Sequence, residues 1–179
     1  PRERWPCKTG DEPRGAAEAR VLFRLRKKSF PCPSIYYIDT NNSQIIMSKI
    51  FATPLYEKLN KLKSPILILE EIGKLIRRLH LSDISHGDLT THNILLSPKE
   101  ELFIIDFGLS RISPELEHLG LDLQVLSECL TASHANIRNP MEAIIRGYIS
   151  IDGDNPDSEN ANKVITRFEE IKSRVRYHG

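Results

Sequence analysis

His86-Gly-Asp-Leu-Thr-Thr-His-Asn93, followed by Ile104-Ile-Asp-Phe-Gly108, is the stretch around which the chain is organised. Asp88 opens a short loop. Asn93 stands five residues on, at the head of the apolar run Ile94-Leu-Leu96. Ser97-Pro-Lys-Glu100 reads as a turn, and a second apolar run, Leu102 to Ile105, delivers Asp106 into a Gly-containing turn. Two short apolar runs joined by a Pro turn form a hairpin. That hairpin brings Asp88, Asn93 and Asp106 together although 18 positions separate the outer two.

The cluster has the chemistry of phosphoryl transfer. Such reactions pass through a loose transition state, so catalysis is mostly positioning and charge neutralisation. Magnesium takes hard oxygen ligands and keeps several waters. The Asp106 carboxylate and the Asn93 amide oxygen suit it, and both would hold it against the phosphates of ATP. Asp88 is left to accept or orient the proton of an attacking hydroxyl. Gly108 is expected to supply the sharp turn after Asp106. Capping and turn roles would explain any one of these residues alone. The full string, D-x-x-x-x-N with D-F-G at the right distance, is the kinase signature. The expected fold class is α+β: a minimal, protein-kinase-like, two-lobed fold. Residues 1–51 form a truncated N-lobe of one helix and a β-hairpin, and residues 52–179 a small helical C-lobe.

The 179 residues carry a formal charge of +1 and are 40% hydrophobic, enough for a core and with no global pull toward nucleic acid or membrane. No apolar run reaches the ~18 residues of a membrane span. Cys7, Cys32 and Cys129 are scattered, odd in number and lack metal-ligand spacing, which fits a reducing, intracellular compartment. The first residue is Pro rather than Met, so a processed or cut start is expected.

Residues 1–13, with Trp5, read as loop. A helix is predicted over Ala16–Lys28, with Ala19, Leu22, Phe23 and Arg26 on one side. Its end carries Arg24, Arg26, Lys27 and Lys28, which suit the helix dipole or would meet a partner or RNA. Glu18 lies in this helix, where kinases place the glutamate that pairs with a strand lysine. Strands are predicted at Ile35–Ile38 and Gln44–Ile50, joined by the turn Asp39–Ser43. Met47 falls near the adenine position, or is plain core, and Phe51-Ala-Thr-Pro54 reads as the hinge.

A short helix follows over Leu55–Leu62, then a long one from Pro65, capped by Ser64, to about Leu81. Ile66, Leu69, Ile72, Ile76 and Leu79 form its buried face; Glu70, Glu71, Lys74, Arg77 and Arg78 face water. Further helices are predicted over Glu115–Ser133 with the stripe Leu119, Leu123, Leu126 and Leu130, over Pro140–Ile149, and over Glu159–Arg176 with Val164, Phe168, Ile171 and Val175 inward. Asp122 sits inside the first of these stripes. A buried carboxylate needs donors, and the amides around His86 and Gly87 are suitable. The polar loop Asp152–Asp157 lacks the ligand spacing of a calcium loop.

Three departures from an ordinary protein kinase shape the expected function. Gly87 stands where most have an arginine that reads a phosphate on the activation loop. Only about ten residues separate Gly108 from the next helix, and no A-P-E follows, so control is expected from partners rather than from loop phosphorylation. No Gly-rich loop or strand lysine precedes Glu18, so these are expected upstream of residue 1, or ATP is gripped abnormally.

His86-Gly-Asp-Leu-Thr-Thr-His-Asn-Ile-Leu95, Ile105-Asp-Phe-Gly-Leu-Ser110, Asp122-Leu-Gln-Val-Leu126, Ser133-His134, Arg146-Gly-Tyr148 and Ala17-Glu-Ala-Arg20 closely resemble one family. It is the Bud-type family of small atypical RIO-like serine/threonine kinases of the KEOPS (EKC) complex. The resemblance covers roughly residues 15–179. Related RIO kinases share H-G-D-L but usually lack the glycine after D-F; aminoglycoside and choline phosphotransferases normally lack D-F-G. The resemblance implies a two-lobed kinase with ATPase activity, using ATP and Mg2+. Its partners would be the threonylcarbamoyl-transferase subunit on the C-lobe and a small subunit on the N-lobe, with tRNA reached indirectly and no membrane. It implies cytoplasmic and nuclear localisation, with links to transcription and telomere maintenance in the eukaryotic complex. By position, Asp88 corresponds to the catalytic Asp, Asn93 and Asp106 to the magnesium ligands, and Glu18 to the ion-pair glutamate. Arg4-Trp-Pro6 is similar to the family segment that follows the strand lysine, and the chain stops at Arg176-Tyr-His-Gly179 where the family runs into a basic tail. The alternatives are a kinase-shaped scaffold that regulates the transferase subunit, and a small-molecule phosphotransferase.

Overall fold

The computed structural model describes residues 14–39, 44–152 and 159–176. Trp5 and the Arg4-Trp-Pro6 segment, the hairpin turn at 40–43, the loop 153–158 and the tail 177–179 lie outside the described residues, as does the Val175 side chain.

Helix α1 (Arg14–Lys27) buries Ala19, Val21, Leu22 and Leu25. The predicted face was rotated too far: Phe23 is 61% exposed and Arg26 points to solvent. Successive helix residues lie about 100° apart, so Val21, Leu22 and Phe23 cannot all lie on the packed side. The strands β1 (Ile35–Asp39) and β2 (Gln44–Met47) contact α1, and Val21 is buried while Phe23 is left outside with Lys27 Nζ 4.6 Å from its ring centroid. The basic end of α1 works locally. Arg24 pairs with Asp83 at 2.9 Å and Lys28 reaches the Leu81 carbonyl at 3.3 Å.

β1 and β2 pair antiparallel, with Ile38 opposite Ile45 and Tyr37 opposite Ile46. β2 ends at Met47 rather than at Ile50. The Ser48 amide turns back to the Ser34 carbonyl (2.8 Å), and the Ser48 hydroxyl accepts the Ser34 N–H (2.9 Å). The predicted hinge divides: Thr53–Pro54 is a strand, β3, paired with β5 (Ile94–Leu96), whose other edge pairs with β6 (Leu102–Ile104). Proline is tolerated there because β3 is an edge. The predicted β5–β6 hairpin is present, with Ile94 opposite Ile104. A further pair, β4 (Ile84–Ser85) with β7 (Arg111–Ile112), had no sequence signal.

The rest is helical: α2 (Leu55–Lys58) and a 3-10 turn (Leu59–Lys61) in place of one short helix, then α3 (Pro65–His80), α4 (Leu116–Ser133), α5 (Pro140–Ser150) and α6 (Glu159–Arg176). Pro65 opens α3, but the Ser64 side chain makes no cap bond. Glu115 caps α4 in a reciprocal box with His118, whose Nδ1 accepts the Glu115 N–H at 3.2 Å. Leu69, Ile72, Ile76 and Leu79 of α3 pack in one core with Leu123, Leu126 and Leu130 of α4, Ile144 and Tyr148 of α5, and Val164 and Phe168 of α6. Each such burial is worth about 1.5–3 kcal/mol, far above helix-propensity differences of tenths, so the stripes set the orientation of the helices.

Arg77, expected in water, is 4% exposed, because Asp152, two residues past α5, receives its Nε and NH2 groups at 2.7 Å each. Cys32 is a buried free thiol that burial pushes up to about 11, and Cys129 is also free. Among the described residues no helix is long and apolar enough to cross a membrane.

Candidate active site

β4 is fully buried and points the chain at His86. The His86 ring touches the segments on both sides of the site. Nε2 lies 3.0 Å from the Ile105 carbonyl and Nδ1 lies 3.2 Å from the Asp88 amide. A carbonyl only accepts and an amide only donates, so Nε2 carries the proton and Nδ1 receives. Burial pushes its pKa below the ordinary value against the nearby carboxylates, which agrees with that neutral form. Gly87 follows at φ 83°, and a Cβ there would lie 2.3 Å from the Leu109 carbonyl oxygen. The position therefore excludes any side chain twice over, through conformation and through space.

Asp122, 1% exposed, clamps this loop from α4. Its Oδ2 accepts the His86 amide (2.7 Å) and its Oδ1 the Gly87 amide (2.8 Å), the donors expected from its place in the apolar stripe. Thr91, fully buried, ties the far side of the loop to His134 Nε2 at 3.1 Å.

The loop and the hairpin converge on three side chains. Asn93 Nδ2 donates to the Asp88 carbonyl (2.8 Å) and to Asp88 Oδ2 (3.1 Å), which leaves Asn93 Oδ1 without a partner among the described residues. The Asn93 carbonyl accepts the Ile105 amide at 3.0 Å, placing Asp106 next in line. Asp106 makes the turn itself, at φ 63°; Gly108, expected to do so, has no positive φ and only offers its amide to Asp106 Oδ1 at 3.4 Å. Asp tolerates the left-handed region through its short polar side chain.

Beside Asp106 opens a cavity of about 340 Å³. Pro33, Met47, Ile50, Leu95 and Ile105 make it apolar, with Ser48 and the carboxylates of Glu18 and Asp106 at its wall. Burial, then the Asp106 charge, raise the Glu18 pKa, while a hydrogen bond from the Phe107 amide opposes them. A second cavity, of about 320 Å³, lies between the start of α4 and α6; its Arg167 is engaged by Glu117 and Glu170, and none of the three converging side chains lines it.

The RIO domain family matches residues 14–131. A KEOPS complex subunit Bud32 from Pyrococcus abyssi is 34% identical over 163 residues, covering 89% of this chain and 72% of that one. The chain belongs to the RIO-like Bud32 kinase family. A probable serine/threonine-protein kinase BUD32 homolog from Archaeoglobus fulgidus shares 31% over 160 residues, covering 89% of this Bud32-type chain and 74% of the relative. A probable bifunctional tRNA threonylcarbamoyladenosine biosynthesis protein from Methanosarcina mazei shares 38% over 164 residues, covering 92% of this chain and 27% of that protein. The Bud32-type chain thus spans about a quarter of the bifunctional relative's length.

ATP and magnesium, which a kinase-like family implies, can be tested against the donors of this Bud32-type site. The open Asn93 Oδ1 and the Asp106 carboxylate are the hard oxygens magnesium takes. No group of three or more His, Cys, Asp or Glu able to hold a metal occurs among the described residues. The cavity is of a size and polarity for a purine ring. The residues fit the group. Of the sequence-predicted residues, the structure brings Asp88, Asn93 and Asp106 together and sets Glu18 and Met47 in the cavity wall. The sequence reading missed Pro33, Ser48, Ile50, Leu95 and Ile105, and strand ends flanking the hinge were their one signal.

Proposed function

We propose that this chain is an ATP-dependent serine/threonine kinase and ATPase that works in a KEOPS-type assembly supporting threonylcarbamoyladenosine formation on tRNA. One observation carries the catalytic part: Asn93 is bonded to Asp88 and accepts the amide of Ile105, whose neighbour Asp106 lines an apolar cavity. The assembly part rests on the names of the relatives. The threonylcarbamoyl-transferase subunit and a small second subunit are the partners that the family resemblance suggests.

The roles follow from the geometry. The cavity lined by Met47, Ile50 and Leu95 receives the adenine ring and excludes water around it. The Asn93 amide group fixes the Asp88 carboxylate by one oxygen, and the other oxygen of Asp88 is left to orient the attacking hydroxyl or water and take its proton. Asn93 Oδ1 and Asp106 would hold magnesium, which supplies charge neutralisation to the phosphates when bound. Asp122 and His86 hold the loop that carries Asp88, so the reacting groups meet without reorganising.

Asp88→Asn should lower ATP turnover by about 10²–10⁴-fold, the scale for removing a positioned acid–base group. A fall of less than about threefold, with ATP still bound, removes Asp88 from the chemistry. If tRNA modification by the assembled complex is unchanged in Asp106→Ala, the chain acts as a scaffold.

A further inference from the structure

A chain of buried polar groups runs from just past α5 to the catalytic loop. Asp152 receives Arg77 through two 2.7 Å hydrogen bonds, both side chains being 5–6% exposed. Arg77 lies over the Tyr148 ring, its guanidinium carbon 5.3 Å from the centroid. Tyr148 is fully buried, and its oxygen is 2.7 Å from His80 Nδ1. His80 Nε2 is 3.2 Å from Asp122 Oδ2, the oxygen that also takes the His86 amide.

The hydrogens in this chain have one consistent arrangement. The Asp122 carboxylate only accepts, so the ring proton of neutral His80 is on Nε2 and Nδ1 is bare. The phenol proton is then left with His80 Nδ1 as its acceptor. From Tyr148 inward, each donor points toward Asp122. A buried network of this kind is rigid when each member is satisfied and costly when one is not.

We propose that Tyr148, backed by Arg77 and Asp152, is a positioning residue: it fixes His80 as the Nε2–H tautomer and so keeps Asp122 clamped on the loop that carries Asp88. The inference rests on the kinase reading for its effect on turnover, but the tautomer stands independently of it. None of these five residues lines the cavity beside Asp106, so the effect falls on the geometry of Asp88 and not on nucleotide binding.

Tyr148→Phe in the full natural chain removes the hydroxyl alone. Two readouts test it. In wild type, the ring nitrogens of His80 seen by 15N NMR should show a bare Nδ1 and a protonated Nε2; in Tyr148→Phe, Nδ1 should become protonated or exchange between states. The kcat of ATP hydrolysis should fall about 10–100-fold, the cost of a small misplacement, with KM for ATP within about twofold. Should the Phe variant lose its native NMR dispersion, Asp152→Asn, which weakens Arg77 from the outer end, is expected to move both readouts in the same direction by less. A protonated Nδ1 in wild type overturns the proposal, and so does an unchanged tautomer with unchanged kcat in a folded variant. If wild type and Asp88→Asn hydrolyse ATP equally, the kinase reading fails, and the His80 spectra with the amide exchange of Gly87 still decide whether Tyr148 holds the loop.

Discussion

Glu18 and Asp106 place two carboxylates on the wall of one apolar cavity. Both burial and the like charge penalise ionised Glu18, so its folded pKa lies above the ordinary 4.5. A raised folded pKa means that the native state holds the proton more tightly than the unfolded chain. The stabilisation this gives is complete below the unfolded pKa and is lost as pH rises through the folded one. At neutral pH ionised Glu18 is therefore a destabilising residue. Glu18→Gln should raise Tm at pH 7 by about 1–4 °C while lowering ATP turnover, as groups kept for function rather than stability do. Thermal melts at pH 7 and pH 4 check it: the gain should vanish at pH 4. Asp122 was readable because a charge interrupts a leucine stripe. Arg77 was not. It occupies a polar position of a good amphipathic pattern, and its counter-ion lies 75 residues away.

Helices α3 and α5 cross where each contributes a glycine. A Cβ on Gly73 would sit 2.0 Å from the Ile144 carbonyl oxygen, and one on Gly147 would sit 1.9 Å from that of Glu70. Helix propensity favours alanine over glycine by about 1 kcal/mol. Here the obstacle is backbone, which cannot rotate away, and forced overpacking costs about 1–3 kcal/mol. Sterics should win, and Gly147→Ala should destabilise by about 1 kcal/mol net of propensity in urea titration. A stabilised variant would mean that the helices separate freely. This crossing also places Tyr148, next to Gly147, against His80 of α3. Sequence periodicity found the five longer helices α1 and α3–α6 and the β5–β6 hairpin because each is long or has a turn signal, whereas the one short helix expected at 55–62 is α2 plus a 3-10 turn. It missed β3, β4 and β7, two residues each, which exist only through their partners. The face of α1 was misjudged at Phe23 for the same reason: size and spacing do not say which neighbour arrives.

Besides the Asp122 clamp, two buried histidines hold the Asp88 loop to the body of the molecule. His86 joins it to Ile105; His134 joins Thr91 to Asn60, taking the Thr91 hydroxyl on Nε2 and donating from Nδ1 to Asn60 Oδ1 at 3.0 Å. Burial lowers both pKa values, with the charge of His92 adding to the effect at His134. A lowered folded pKa means that the unfolded chain binds these protons first. The stability from neutral His86 and His134 is complete above about pH 6.5 and is lost as pH falls from there through the folded values. Each can contribute up to about 1.4 kcal/mol per pH unit inside that window. Glu18 works with the opposite sign, gaining stability as pH falls toward its unfolded value. Two histidines against one carboxylate leave a net loss, so urea midpoints should drop between pH 7 and pH 5. Glu18→Gln removes the opposing contribution and should make that drop steeper. A flat profile in both proteins would mean that the histidines accept protons in the folded state. The Nε2–H form of His86, and with it the link from Asp88 to Ile105, would then be wrong. The spacing of His86 and Asp88 was plain in the sequence, whereas the dependence of the whole fold on a neutral ring needed the partners of each nitrogen.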